Sequence, residues 1–189
     1  WSVKSLFFIA HIGSIAGAYL LGKRLFGRIG GMLSAAAYGL APYRALNLYV
    51  RGAVAESWGM MAMPWILLGI IDVVEGRRHG WKILLLSSVV LLLSHNLTSL
   101  LFFPLAAVFG AGYLMWWASR RLEVGVTRES LQLSALRRVS IATMTMLAAA
   151  ATTAWYTLPA FLEKGETQID SILGGYFSYH QHFLYIRQF

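Results

Sequence analysis

The side chains best equipped for chemistry stand in a few short runs. Arg44, Arg51 and Glu56 occur in APYRALNLYVRGAVAES, His95 and Asn96 in LLLSHNLTS, and Glu163 in AWYTLPAFLEKGETQ. A guanidinium is a planar fork of donors that matches phosphate, and a neighbouring carboxylate can orient it. Arg51 and Glu56 are read as such a pair, or as a charge pair that only pins its loop. Five residues apart, they share no helix face and meet only if Gly52 turns the chain. Farther on, His180 and His182 have a spacing that can ligate metal. Beyond each other, neither has an acidic or histidine partner nearby in sequence, so a lid or interfacial helix is preferred there and no metal is assigned. Ionisable groups at membrane depth often mark function. His11 is cheap to bury neutral, so packing is its default reading, and Asp72 is within reach of Arg77 or Arg78. The chain holds no Walker A loop, Rossmann glycine pattern or HExxH. Having no cysteine, it also excludes a disulfide scaffold, a cysteine zinc site and a cysteine nucleophile.

Composition determines what positions these groups. The 189 residues are 58% hydrophobic and only 13% charged, about half the charge of a soluble domain. A net charge of +8 raises the question of nucleic acid, but the apolar content argues against such a partner. Six stretches approach the roughly 20 apolar residues that cross a bilayer: 3–22, 29–43, 57–74, 81–95, 97–118 and 141–162. The segments 23–28, 76–82 and 119–140 hold eleven of the 16 basic residues, Lys23 through Arg138. The positive-inside rule places these in the cytoplasm. Arg44, Arg51, Glu56, His95, Asn96, Glu163 and His182 then share the outer face. None of the six stretches shows the alternation of a barrel strand. The expected fold is all-α, a polytopic bundle of about six spanning helices, with the lipid bilayer as its first partner.

Local pattern refines this. The stretch 81–95 has 15 residues, roughly 22 Å of helix at 1.5 Å per residue, short of a core of about 30 Å. His95 and Asn96 are therefore expected below the outer surface, in a recess. Tyr43, Leu46 and Val50 recur at helical spacing in the preceding outer loop, Gly52 ends that helix, and Glu56 starts the next. Gly13 and Gly17 form a GxxxG pair suited to close helix packing. The segment 119–140 reads as a short basic surface helix at lipid head groups, or as a solvated connector. The sequon Asn96-Leu97-Thr98 lies too near the bilayer to be used. Trp155 and Tyr156 fit an interfacial belt. The organisation is thus a membrane region over 1–162 and the start of an outer amphipathic segment over 163–189. Because the chain opens at Trp1 directly in an apolar stretch, it is expected to be an internal piece of a longer protein.

The runs APYRALNLYVRGAVAES, LLLSHNLTSLLFFP and AWYTLPAFLEKGETQ, with FSYHQHFLYIRQF after them, resemble the bacterial and archaeal membrane proteins labelled 6-pyruvoyl-tetrahydropterin synthase-related. The likeness runs from about residue 30 to the end, and RGAVAE and SHNLT are its most specific parts. Those proteins are similar to the GT-C class of multispanning glycosyltransferases. The resemblance implies sugar transfer from a polyprenyl-phosphate donor on the outer face of the prokaryotic cytoplasmic membrane. It also implies a catalytic acidic residue upstream of Trp1, no cofactor in this stretch, and, as in some members of the class, room for a divalent metal in the full-length protein. Arg51, Glu56, His95 and Asn96 match the family pattern as substrate-binding residues that hold the lipid phosphate or the sugar. Arg44, Glu163 and His182 are secondary candidates. Two other functions are weighed. A transporter or flippase would show midplane charges and paired broken helices, whereas a non-catalytic envelope assembly protein would tolerate loss of Arg51 and Glu56.

Overall fold

Gly27 makes the first reversal of the chain. In the computed structural model, which describes residues 2–163, helix α1 (Ser2–Gly39) is interrupted there at φ 75°, ψ −172°. Side chains rarely adopt that backbone, and glycine adopts it freely. Limbs 2–26 and 28–39 fold back on one another. A Cβ placed on Gly31 would lie 2.8 Å from the Tyr19 carbonyl oxygen, and one on Gly39 would lie 2.9 Å from Ile15. The reversal falls within 23–28, between the first two apolar stretches.

The remaining described elements are also helical. Helix α2 (Pro42–Ala45) opens on a proline, whose fixed φ suits a first turn. It runs into a π-helix, Leu46–Arg51, which ends at Gly52 with φ 60°. Then come α3 (Val54–Glu75), α4 (Gly80–Ser94), α5 (Asn96–Glu123) and α6 (Arg128–Leu162). The described chain is therefore all-α. Three helices, α1, α3 and α5, are long and apolar enough to cross a membrane, and α4 is a shorter apolar helix. The segment 119–140 is not a separate surface helix. Good helix formers on both sides extend α5 to Glu123 and start α6 at Arg128.

The chain divides into two units, the first ending at Thr153. At the centre of the first is α3. Its apolar stretch is 56% buried, against 11% for that of α5. Ala62, Ile66, Leu84, Leu91 and Ala106 form the core, with Phe102, Ala142 and Met146 packed against it. Small residues permit the closest approaches. A Cβ on Gly69 would lie 2.7 Å from the Leu84 backbone nitrogen, and one on Gly80 2.7 Å from the Asp72 carbonyl carbon. The GxxxG pair of α1 faces α3 as well. Gly13 lies under Met61 and Gly17 under Trp65, and Trp65 Nε1 donates to the Gly13 carbonyl at 2.9 Å.

Charged contacts gather the basic turns at one end of this unit. Arg24 binds Asp72 at 2.9 Å and Glu75 at 2.6 Å. The Tyr113 hydroxyl donates to Glu75 at 2.7 Å, and Arg138 donates to the Val74 carbonyl. The opposite end carries α2, the π-helix and the α4–α5 corner. Along α5, Leu97, Leu100, Leu101, Leu105, Val108 and Met115 are 63–72% exposed. A contiguous apolar surface of this kind suits lipid, not water, and the apolar helices fit contact with a bilayer.

Only 154–163 of the second unit is described. It holds the end of α6, where Trp155 and Tyr156 pack edge to face at 6.0 Å. Pro159 lies inside the helix, and Glu163 follows it, exposed. His180 and His182 lie outside the described residues.

Candidate functional site

The π-helix decides how the polar groups at the α2 end meet. Tyr43, Asn47 and Arg51 are each four residues apart, and widening the coil from i→i+4 to i→i+5 bonding keeps them on one side. Gly52 then turns the chain so that Glu56, in the first turn of α3, faces them. Arg51 Nη1 lies 2.8 Å from Glu56 Oε2, 2.9 Å from the Tyr43 hydroxyl and 2.8 Å from Asn47 Oδ1. The Tyr43 hydroxyl itself donates to Glu56 Oε1. Tyr43 stands in α2, outside the long apolar helices. Its phenol is held above its usual 10, first by the hydrogen bond to Glu56 and then by burial, against the opposing pull of Arg51. Glu56 is 8% exposed and Asn47 1%. The Arg51 side chain remains 47% exposed. The pair expected from sequence is thus in contact, and both members are occupied by one another and by two further residues.

Arg44 is placed differently. It is 7% exposed, and its guanidinium stacks 4.4 Å over the Tyr38 ring. Its Nε and Nη2 are buried without a hydrogen-bond partner among the described residues. It lines a cavity of about 320 Å³ together with His11, Asn47, Ser57 and Met60. Leaving an ionised group buried and uncompensated costs several kcal/mol. Arg44 thus borders the cavity with two donors unspent, a buried charge that an oxyanion bound there would complement. Asn47 belongs to both groups: its Oδ1 accepts from Arg51, and the residue also walls the cavity of Arg44.

His95 forms the corner between α4 and α5. Its backbone is extended, at φ −153° and ψ 103°, so the chain reverses within one residue. Its Nδ1 accepts from the Thr98 backbone N–H at 3.2 Å and lies 2.7 Å from the Thr98 hydroxyl. Accepting at Nδ1 leaves the proton of a neutral ring on Nε2, as a free donor. His95 packs against Gly59 of α3, one turn beyond Glu56, where an added Cβ would lie 3.6 Å from its own. Asn96 is the exposed first residue of α5.

Of the residues singled out in sequence, Arg44, Arg51, Glu56 and His95 come together at this end of the first unit. Glu163 lies in the second unit and His182 outside the described residues. Tyr38, Tyr43, Asn47 and Ser57 are additions. The four-residue spacing of Tyr43, Asn47 and Arg51 was a usable signal, but the apolar spacing of Tyr43, Leu46 and Val50 pointed to the other face. Among the described residues, no three His, Asp or Glu side chains group to hold a metal ion. Compared with models of protein families, with curated proteins and with solved structures, the chain finds no match.

Proposed function

We propose that the chain acts in a GT-C-like integral membrane glycosyltransferase that takes its sugar from a polyprenyl-phosphate carrier at the outer face of the cytoplasmic membrane. The observation that carries this reading is Arg44, a buried cation with two unspent donors that borders a cavity at the lightly charged end of the bundle. A lipid-linked phosphate needs such a cationic mouth where the acyl region meets water. On this reading Arg44 holds a donor phosphate oxygen. His11, Asn47 and Ser57 line the same recess, and the Nε2 proton of His95 is available to a sugar hydroxyl nearby. Arg51 and Glu56 act as positioning residues, since their mutual contacts hold the loop that presents Arg44.

The orientation follows from charge. The turns bearing Arg24, Arg77, Arg120 and Arg128 belong in the cytoplasm. The two limbs of α1, with α3, α4, α5 and the apolar part of α6, would then make six crossings. The short α4 would leave His95 below the outer surface.

The test uses the full-length protein in cells, with Arg44→Ala and Arg44→Lys read against envelope glycan and against protein level. Losing hydrogen bonds to a charged group costs about 1.5–3 kcal/mol each. Arg44→Ala is therefore expected to lower the glycan product about tenfold or more with protein level nearly unchanged, and Arg44→Lys to restore part of it. Unchanged glycan in Arg44→Ala cells would overturn the reading.

A further inference from the structure

The end of the first unit opposite Arg44 holds a second arrangement, built from two adjoining cavities. One, of about 330 Å³, is lined by Arg77, Arg78, Arg137, Arg138 and Trp81. The other, of about 510 Å³, is almost wholly apolar and lies between α3, α4, α5 and α6, with Ile70, Gly110 and Ala142 in its walls. Val73 and Arg138 line both, so the two spaces meet at a common wall. Small residues on α5 leave the apolar space open: Gly110 presents no side chain to Ile70, which lies 3.2 Å from where its Cβ would be.

The charges in the first cavity are unequally committed. Arg77 is engaged with Asp72 at 3.4 Å and Glu75 at 3.2 Å, and those two carboxylates are shared with Arg24. Two cations against two anions leave that group balanced. Arg138 is fixed rigidly. It donates to the carbonyls of Val74 and Ser134 and stacks 4.2 Å over Trp117. Its charge has no carboxylate partner among the described residues. Arg78 and Arg137 make no ion pair or side-chain hydrogen bond among the described residues. Three uncompensated guanidinium groups therefore converge beside an apolar cavity of ordinary ligand size.

We propose that this pair of cavities binds one anionic phospholipid, with its phosphate among Arg78, Arg137 and Arg138 and an acyl chain in the apolar space beyond Val73. The site depends on bilayer contact and not on the glycosyltransferase reading. Phosphate chemistry alone would also admit a free phosphate, but a free phosphate leaves the larger cavity empty, and only a lipid fills both.

Native mass spectrometry of the delipidated full-length protein separates these cases. The probes are phosphatidylglycerol, phosphatidylcholine, glycerol phosphate and inorganic phosphate. Phosphatidylglycerol is expected to bind about tenfold or more tightly than phosphatidylcholine. Arg78→Ala with Arg137→Ala should abolish that preference. Ala107→Phe, which fills the apolar cavity, should weaken phosphatidylglycerol and leave glycerol phosphate unaffected. Equal binding of the two lipids overturns the proposal. So does glycerol phosphate binding as tightly as the lipid with no response to Ala107→Phe. Thermal melting in detergent identifies any variant that fails to fold. Should the double variant fail, Arg137→Gln alone, on an exposed position, is expected to reduce the preference, and an unchanged preference overturns the site equally.

Discussion

Arg44 and Arg51 are seven residues apart, yet burial gives them opposite energetic roles. Arg51 is half exposed, and its carboxylate, phenol and amide partners surround it. Arg44 is buried with two donors unspent. Exchanging a buried, uncompensated charge for an apolar side chain of similar volume is often neutral or stabilising by about 1–4 kcal/mol. The lost contact with Tyr38 offsets about 0.5–2 kcal/mol of that. Without ligand, Arg44→Met is expected to melt within a few degrees of the parent or above it, and to lack the stabilisation by added polyprenyl phosphate that the proposed function predicts for the parent. Glu56→Ala removes the acceptor shared by Tyr43 and Arg51. The half-exposed guanidinium can rehydrate, so the loss is about 1–3 kcal/mol, below the 3–5 of a fully buried pair. A clear drop in melting temperature for Arg44→Met and none for Glu56→Ala would reverse the assignment of ligand-holding and loop-holding roles. The contrast is invisible in sequence. Both arginines sit in one polar loop, and only the approach of Tyr38 and the π-helix buries one and leaves the other in reach of water.

At the scale of elements, glycines fall into two kinds that look alike in sequence. A methyl group on Gly13 would meet the flexible end of Met61, which can swing aside. Gly69 and Gly80 face backbone atoms at 2.7 Å, which cannot. Gly13→Ala is expected to change stability by less than about 1 kcal/mol. Gly69→Ala or Gly80→Ala should cost about 1–3 kcal/mol or more by forcing α3 and α4 apart. Thermal melting of the three variants in one detergent ranks them, and equal melting would refute the close α3–α4 approach. Hydropathy and charge made the existence and order of the helices legible, and Lys23 through Arg28 marked the reversal at Gly27. The extension of α5 to Glu123 was less legible, because a polar helix-forming run reads equally as a surface helix or as the end of a longer one. The π-helix left no periodic signal in six residues.

At the largest scale the governing quantity is the asymmetry of charge between the two ends of the first unit. These 189 residues hold no cysteine, so once any cysteine elsewhere in the full-length protein is replaced, an introduced thiol reports that asymmetry directly. In the proposed orientation, His95→Cys should react with a small aqueous reagent added outside intact cells, and Arg78→Cys only after the inner side is opened. Labelling of both from the same side would contradict the six-crossing reading. Pairing of Arg24 and Arg77 with Asp72 and Glu75 does not blur the pattern, because those two cations and two anions cancel within the same end.

In the proposed six-crossing orientation, the one-residue reversal at His95 would also act on the surrounding membrane. Fifteen helical residues span roughly 22 Å, and α4 presents Trp81, Leu86 and Leu93 to its surroundings. If α4 crosses as proposed, a hydrocarbon layer of about 30 Å would thin by several ångströms along that flank, at a cost of fractions of a kcal/mol per ångström. The lipid would answer with a shallow elastic depression, deepest beside the corner. A carrier whose head group travels at the membrane surface would descend into that depression and be drawn toward the level of His95. Bilayer thickness would then help set how far the carrier sinks, and the short helix would act as a calibrated indentation as well as a packing unit.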